Sequence, residues 1–431
     1  MTRPGGTSRS PCSCSTASRA RKPRCGSGRR GATCAGRGKA GAGRAGGRGG
    51  VERTAIEALG LMSGTSMDGI DLAVIRTDGG TVGGFGPEDT VPYDSALRDR
   101  LGGAVADPDA LGAGEREALE RDLTDAHAAA VEGFLARHGL DRDAIGVVGF
   151  HGHTLVHRPE RRLTAQLGDG GRLARRIGID VVNDFRAADV AAGGEGAPLA
   201  PLYHAALAKS LPRPLAVLNL GGVGNVTFID DGGDGDAVLA FDTGPGNAMI
   251  DDWVRARAGL PFDADGRLAA SGRVRPEALG HLLADPYFAR PAPKSLDRNA
   301  FKATALEGLS AADGAATLAA FTAGSVAAAL PHLPSPPRRW LVTGGGRRNP
   351  VVMAALGRNL GAPVDPVEAV GWSGDALEAQ AFAYLAVRSL YGLPLSLPTT
   401  TGVPAPATGG ALHRVRGDGS GHGAPALPRG G

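Results

Sequence analysis

The chain has 431 residues, which is enough for two domains with well-filled cores. Its formal net charge of +3 is unevenly distributed: residues 1–50 contain 12 Lys and Arg and no acidic residue, so the remainder has 35 basic and 44 acidic residues and a net charge of −9. An acidic folded part would repel a phosphate backbone, so the composition argues against nucleic acid as a partner.

Residues 1–52 are a basic leader rich in Gly and Arg, with almost no large apolar side chain, and are predicted to be disordered. The leader contains no apolar stretch of signal-peptide length, and nothing in it predicts a membrane partner. An alternative is that the natural chain begins near Val51. All four cysteines lie in the leader, at Cys12, Cys14, Cys25 and Cys34. A zinc knuckle there is an alternative, but the spacing is irregular. A globular part without cysteine fits a reducing cytoplasm.

The first informative segment is an apolar run, 58–62, followed by the polar stretch 63–71 and a second apolar run, 72–75. This pattern predicts a hairpin whose turn binds phosphate. Its glycines expose backbone N–H groups, and Thr65 and Ser66 add hydroxyl donors. Asp68 can hold a hydrated cation, for which we expect Mg²⁺ bound through water. An ordinary polar turn is the alternative for such a motif taken alone.

The next elements alternate helices with short strands, which indicates an α/β protein. We expect a helix at 115–138, a strand at 146–150, a helix at 171–177 and a strand at 179–182. Polar residues follow these strands, where open α/β sheets bind ligands. The candidates for substrate contacts are His151, Gln166, Asp184 and Arg186. A structural histidine and a loop ion pair between Asp184 and Arg186 are the alternatives.

A second hairpin is predicted from the buried strand 215–220 and its return strand 226–229, joined by a turn that contains Gly221, Gly222 and Asn225. One glycine turn cannot enclose a polyphosphate, but two turns on separate sheets can close around it from opposite sides. The two hairpins together therefore favour a nucleotide site.

A carboxylate and a third glycine cluster follow. A strand at 238–241 leads into Asp242, which is placed as a base aimed into a cleft or, alternatively, as a helix cap or turn residue. The strand 340–342 precedes Gly344, Gly345 and Gly346, where a flat adenine ring could lie on bare backbone. Helices are expected at 248–257, from near 349 and from 375. The final segment, 402–431, is rich in Pro and Gly and is predicted to be frayed.

This ordered series resembles the actin-like ATPase and sugar-kinase superfamily, which implies a two-lobed α/β fold with a central cleft. Within it, a set of motifs over about residues 59–413 resembles the anhydro-N-acetylmuramic acid kinase family. The matching segments are 60–69, 150–154, 184–186, 218–222, 241–247 and 293–295. The resemblance implies a first lobe at 53–150 completed by the helix near 375–391, a second lobe at 151–374, and a tail at 402–431.

The resemblance also implies an activity. Enzymes of this family use ATP and Mg²⁺ to open the 1,6-anhydro ring of anhydro-N-acetylmuramic acid with water, and they phosphorylate the freed 6-oxygen during recycling of cell-wall sugar. Asp242 would be the base that activates water, and the sugar contacts would be the four substrate candidates above. The expected ATP contacts are Gly64, Thr65, Ser66, Met67, Asp68, Gly69, Ile70, Asp71, Gly221, Gly222, Asn225, Gly344, Gly345 and Gly346. The partner is then a small amino sugar, the compartment is the cytoplasm, and a homodimer is left open.

Three positions depart from the family pattern. His153 replaces a usual glutamine, Leu296-Asp297 replaces a common Thr-Gly, and Thr343 replaces a frequent cysteine. The histidine leaves the sugar contacts open. Two other functions share the fold: a kinase of a different amino sugar, and a non-enzymatic nucleotide switch that hydrolyses ATP without any sugar.

Overall fold

The structure, a computed structural model, describes residues 53–64, 67, 69–230, 238–298 and 300–415. The basic leader and residues 416–431 lie outside this range. Thr65, Ser66 and Asp68 of the first predicted phosphate turn also lie outside it.

The described strands, numbered in chain order, are β1 (Ile56–Ser63), β2 (Gly69–Thr77), β3 (Val82–Pro92), β4 (Ile145–Arg158), β5 (Leu163–Leu167), β6 (Val181–Asn183), β7 (Leu215–Leu220), β8 (Val223–Ile229), β9 (Val238–Pro245), β10 (Arg339–Thr343), β11 (Val364–Pro366) and β12 (Ala411–His413).

The described helices are α1 (Ser95–Ala106), α2 (Ala113–His138), α3 (Gly170–Ile177), α4 (Ala187–Ala191), α5 (Pro201–Leu207), α6 (Ala248–Ala258), α7 (Arg267–Ser271), α8 (Pro276–Leu283), α9 (Ala311–Ala328), α10 (Pro350–Asn359), α11 (Leu377–Leu390) and α12 (Pro398–Thr401).

Two sheets share one connectivity. In the first, the order is β12-β6-β4-β1-β2-β3, with β5 paired to β4; in the second it is β11-β10-β7-β8-β9. Each sheet begins with three consecutive antiparallel strands and then adds two parallel strands beside the first of them. The mixed α/β architecture expected from the sequence is confirmed, and the same unit occurs twice.

Three hydrophobic clusters fill the spaces between the sheets and helices. One packs α1, α2 and α3 against the outer face of the first sheet. Another packs α6, α9 and α10 against the outer face of the second sheet. The third lies between the sheets and is built largely from α5 and α11. Helix α11 is therefore shared by both halves of the molecule, and its first turn reaches the cleft between them.

Glycines let α11 lie directly on the first sheet. A Cβ atom on Gly60 of β1 would lie 1.7 Å from the carbonyl oxygen of Ala379, and one on Gly149 of β4 would lie 2.1 Å from that of Phe382. No side chain fits at either contact. The two glycines thus fix how deeply the start of α11 reaches into the cleft.

Two strands run further than the sequence suggested. β4 does not end at Phe150 but continues to Arg158, because β5 returns beside it and keeps the chain extended through His151 and His153. β9 likewise continues past Phe241 to Pro245, because β8 pairs with it along this length. The expectation that Asp242 follows the end of its strand is therefore wrong: Asp242 lies within β9.

Sheet membership also differs from the expected boundaries. Residue 150, the predicted end of the first lobe, falls inside β4, and the first sheet also includes β5, β6 and β12. The tail was expected to be frayed from residue 402. That expectation is wrong for residues 411–413, which form β12 and pair with β6.

Among the described residues, one helical stretch, Ala311–His332, is long and apolar enough to cross a membrane. However, 67% of its most apolar window is buried inside the protein. Such burial is typical of a core helix, so the stretch is weak evidence for a membrane span.

Candidate functional site

The second phosphate turn and the adenosine turn lie against each other. The turn at Gly221-Gly222 is fastened by the backbone N–H of Asn247, which donates to the Gly221 carbonyl at 2.7 Å. Gly344 has a φ of 75°, and a Cβ atom there would lie 2.4 Å from Asn219 Oδ1 and 2.7 Å from the Leu220 carbonyl oxygen. Only glycine allows this approach, and it brings two of the three predicted nucleotide segments together.

The described part of the first phosphate turn is tight. The N–H of Met67 donates to the Gly64 carbonyl at 3.0 Å, and Met67 itself has a φ of 57°. Gly69, Ile70 and Asp71 lie in β2 rather than in the turn. Ile70 is buried in the core of the first lobe, and the Asp71 carboxylate accepts a hydrogen bond from Thr90 at 2.6 Å. Within the described residues, Gly64 and Met67 are thus the ones that shape the turn.

Asp242 is held on three sides and is 9% exposed. Its Oδ2 accepts the N–H of Leu296 at 2.8 Å, its own N–H donates to the Lys294 carbonyl at 2.9 Å, and its carbonyl accepts the Tyr287 hydroxyl at 2.6 Å. Burial raises the pKa of the Asp242 carboxyl to about 7; the Leu296 hydrogen bond and the charge of Arg186 oppose this, and Glu195 adds to it. A carboxylate in this state can accept a proton near neutral pH.

Arg186 and His151 form one unit. The carbonyl of Gly152 can only accept, so the His151 Nδ1 at 2.9 Å from it carries the proton, and Nε2 accepts the N–H of Arg186 Nε at 3.1 Å. Burial holds the pKa of His151 well below its usual range, so the ring is neutral. Arg186 also donates to the Gly196 carbonyl at 2.7 Å. These bonds engage Nε and Nη1 and hold the guanidinium in place.

The same arginine connects several carboxylates electrostatically. Burial lowers the pKa of Arg186 to about 10, and the charges of Glu378, Asp189 and Asp242 oppose this. Asp189 is buried and accepts from the Gly196 N–H at 2.6 Å and from Thr401 Oγ1 at 2.6 Å, which fixes the glycine-rich loop. Glu195 of that loop accepts from Ser295 Oγ at 2.5 Å. Arg186 is therefore the positive centre of the site.

Glu378 is a site residue that the sequence reasoning missed. It lies in the first turn of α11, and its Oε1 accepts the side-chain N–H of Asn219 at 3.0 Å. Its side chain is exposed, yet desolvation by the surrounding protein raises the pKa of Glu378, and the Asn219 hydrogen bond and the charge of Arg186 oppose this. The available signal was the acidic start of the helix predicted from residue 375. Only the packing of α11 between the sheets shows that this carboxylate reaches the nucleotide turns.

Two further predicted sugar ligands have no hydrogen bond to Arg186 or Asp242 among the described contacts. Gln166 on β5 donates from Nε2 to Thr164 Oγ1 at 2.8 Å. Asp184 is exposed and has a φ of 54°, a left-handed conformation that aspartate tolerates better than most residues. The hydrogen bonds described for Arg186 go to His151 and Gly196, so the structure does not pair Arg186 with Asp184.

His153 lies inside the first lobe. Its side chain is 0% exposed, and its Nδ1 lies 2.9 Å from Ser63 Oγ, which also accepts the hydroxyl of Tyr93 at 2.7 Å. Ser63 is the last residue of β1, directly before the first phosphate turn. The departure at this position therefore concerns the support of that turn.

Two sheets of the same connectivity, with glycine turns and a poised carboxylate at the cleft between them, define a two-lobed kinase of the actin-like ATPase and sugar-kinase class. The model of the family described as anhydro-N-acetylmuramic acid kinase matches residues 56–414. The chain belongs to this family, and the expectation drawn from its motifs is confirmed.

Individual relatives agree. An anhydro-N-acetylmuramic acid kinase of Paramagnetospirillum magneticum is 60% identical over 359 residues, which cover 83% of this chain and 99% of that protein. The kinase of the same name from Rhodospirillum rubrum is 61% identical over 357 residues, covering 83% and 94%. That of Acidiphilium cryptum is 57% identical, covering 83% and 98%. Among solved structures, a ROK family glucokinase from Streptomyces griseus resembles the chain only distantly, at 16% identity and a TM-score of 0.36 over 77% of this chain and 99% of that one.

Proposed function

We propose that this kinase opens 1,6-anhydro-N-acetylmuramic acid with water and transfers the γ-phosphoryl group of ATP to the freed 6-oxygen, giving N-acetylmuramic acid 6-phosphate. The observation that carries the proposal is Asp242, a buried carboxylate with a pKa of about 7, within the electrostatic reach of Arg186 and one strand from the second phosphate turn. The relatives named for this activity match the chain over nearly their whole length.

The proposed reaction consists of ring opening followed by phosphoryl transfer. The Asp242 carboxylate takes a proton from water, the water oxygen bonds to the anomeric carbon, and the bond from that carbon to the 6-oxygen breaks. The electron pair passes to the 6-oxygen, which takes the γ-phosphoryl group as ADP leaves. Positioning and charge neutralisation supply most of the catalysis in phosphoryl transfer. The backbone N–H groups of the glycine turns at 221–222 and 344–346 are suited to hold the nucleotide, and the first phosphate turn, of which Gly64 and Met67 are described, is proposed to share this role.

Arg186 and His151 are our candidates for the sugar. The guanidinium can pair with the lactyl carboxylate. His151 remains a proposed contact, and its Nε2, which accepts from Arg186 Nε, orients that guanidinium. Gln166 and Asp184 remain proposals as outer contacts that a bound sugar could reach.

Mg²⁺ is proposed with the nucleotide. Mg²⁺ beside phosphates keeps most of its waters and uses one or two protein carboxylates. Within the described residues no group of three ligating side chains occurs. Asp68, the expected contact through water, lies outside the described residues, and Glu378 offers a carboxylate of fitting chemistry at the cleft. The ion would neutralise phosphate charge there.

The proposed setting is recycling of cell-wall sugar in the cytoplasm. The test is to incubate the protein with ATP, Mg²⁺ and a panel of anhydro-N-acetylmuramic acid, N-acetylmuramic acid and N-acetylglucosamine in isotopically labelled water. We expect one phosphorylated product, from the anhydro sugar, with one labelled oxygen at the anomeric position. Phosphorylation of N-acetylglucosamine alone would assign a different amino sugar. ATP hydrolysis without any sugar requirement would support the nucleotide switch.

A further inference from the structure

Lys294 has a buried ammonium group that the proposed reaction does not use. Its side chain is 3% exposed. The Nζ donates to the carbonyls of Tyr287 at 3.1 Å and Phe288 at 3.2 Å. It also lies 4.7 Å from the centre of the Tyr287 ring and 5.8 Å from that of Phe241. Carbonyl dipoles and ring faces, rather than a carboxylate, therefore surround this charge.

Such an environment is costly for a cation. Burial, together with the charge of Arg290, lowers the pKa of Lys294 to about 8. The ammonium points at main-chain carbonyls and is closed off from solvent, so it is not placed to bind phosphate or sugar. What it does hold together is the segment 285–296, because it ties the carbonyls of 287 and 288 to residue 294.

That segment supplies every hydrogen bond described for Asp242 outside its own sheet. The Lys294 carbonyl accepts the Asp242 N–H, the Tyr287 hydroxyl donates to the Asp242 carbonyl, and the Leu296 N–H donates to the carboxylate at 2.8 Å. The last of these bonds is the one that stabilises the ionised base. Leu296 is only two residues from Lys294, so the position of its N–H depends on how residue 294 is anchored.

We propose that Lys294 is a positioning residue: its ammonium fastens the 285–296 segment and thereby keeps the Leu296 N–H on the carboxylate of Asp242. The proposal rests on the proposed function only in calling Asp242 the base. The anchoring is a property of the fold and can be tested without turnover.

The sign of the effect follows from the groups that face Asp242. Arg186 favours its ionised form, Glu195 disfavours it, and the neutral Tyr287 hydroxyl bonds its main chain. If the Leu296 bond is lost while these remain, the pKa of Asp242 rises. The base is then ionised only at higher pH.

The experiment compares Lys294→Met with wild type in the pH dependence of kcat. Methionine keeps the length and apolar packing but cannot donate to the two carbonyls. We expect the acidic limb to move to higher pH by about one unit, with little change in the KM for ATP. The matched control is Trp253→Phe, which also removes one buried side-chain donor to a carbonyl, that of Ala311, elsewhere in the second lobe. This control should lower the stability of the fold without shifting the acidic limb of the kcat–pH profile.

A second measurement needs no activity. Asp242→Asn is introduced into wild type and into Lys294→Met, and the difference in unfolding free energy is followed from pH 4 to pH 9. The stabilisation by Asn should begin near the unfolded aspartate pKa of 3.8 in both backgrounds, and it should level off at a higher pH in the Lys294→Met background. An equal levelling-off pH in both backgrounds, or a kcat lowered uniformly at every pH, would overturn the positioning role. A wild type inactive toward the anhydro sugar would instead refute the proposed function and leave this comparison readable.

Discussion

Asn225 and Asp242 are paired directly across the β8–β9 ladder, at the point where the register of the two strands shifts. The residue expected to bind phosphate and the residue expected to activate water are thus neighbours on one rigid sheet. Backbone hydrogen bonds, rather than a flexible loop, set the distance between the phosphate turn and the base.

Replacing the base should stop the chemistry without removing the nucleotide. Asp242→Asn keeps an oxygen that can accept the Leu296 N–H, but it has no carboxylate to take a proton. We expect kcat to fall by at least about a hundredfold and the ATP affinity, measured by calorimetry, to change little. Asp263→Asn is the control, because Asp263 is also buried and caps the N–H groups of Leu268 and Ala269. Full activity in Asp242→Asn would remove this residue from its role.

The same substitution should stabilise the fold at alkaline pH. Asp242 has a pKa of about 7 when folded, against 3.8 for an ordinary aspartate. Between these values the folded chain binds a proton that the unfolded chain has released, so stability falls as pH rises toward 7. We expect Asp242→Asn to resist urea better than wild type at pH 8 and about equally at pH 4. Equal urea midpoints of wild type and Asp242→Asn at pH 8 would mean that ionisation of Asp242 does not destabilise the folded state.

Buried histidines should have the opposite pH dependence. Burial lowers the pKa of His127, His153 and His157 to about 4 and that of His204 to about 3. An unfolded imidazole titrates near 6.5, so protons bind the unfolded chain first, and stability is lost as pH falls from about 6.5 toward 4.

A pair of variants tests this. His204→Gln should reduce the slope of unfolding free energy against pH in that window, whereas the exposed His281, replaced by Gln, should leave it unchanged. The measurement is urea unfolding at half-unit pH steps. A slope that His204→Gln does not alter would show that this ring takes up its proton over the same pH range in the folded and the unfolded chain.

Glu378→Gln tests the carboxylate at the start of α11. Glutamine preserves the bond from Asn219 but removes the charge, so a magnesium-bound nucleotide should bind more weakly. We expect the KM for ATP to rise about tenfold, with little change in the KM for the sugar. Glu132→Gln, at a surface ion pair with Arg176, is the control. Equal KM values for ATP would place Glu378 outside the nucleotide site.

Removing residues 1–50 should leave activity unchanged, because the family match begins at residue 56. The measurement is kcat and KM for both substrates in the truncated and the full chain. Lost activity would reveal a function of the basic leader.

Local patterns predicted the elements whose residues decide their own conformation. The strand at 215–220 and the end of the helix at His138 match the structure, since an apolar run and a glycine in the left-handed conformation mark them. The ends of β4 and β9 were missed because their extension depends on β5 and β8. β12 was missed because a Pro/Gly-rich tail gives no local sign that β6 will pair with it.

For the candidate site, too, the sequence predicted what local residues determine and missed what depends on distant parts of the chain. Glycine turns and Asp242 could be recognised from residue type and order. Glu378 could not, because its place depends on how α11 packs against strands more than 200 residues earlier in the chain. Gln166 and Asp184 were proposed from their positions after strands and remain predictions, because strand spacing does not determine side-chain direction and the hydrogen bonds described for Gln166 and Arg186 go to other residues.

The bare backbone at Gly60 and Gly149 has a mechanical meaning. With no room for sliding between α11 and the first sheet, that helix must travel with the first lobe whenever the cleft widens or narrows. Asn219 travels with the other lobe, at the end of β7. The 3.0 Å hydrogen bond from Asn219 to Glu378 therefore links the two lobes, and any widening of the cleft would have to break it.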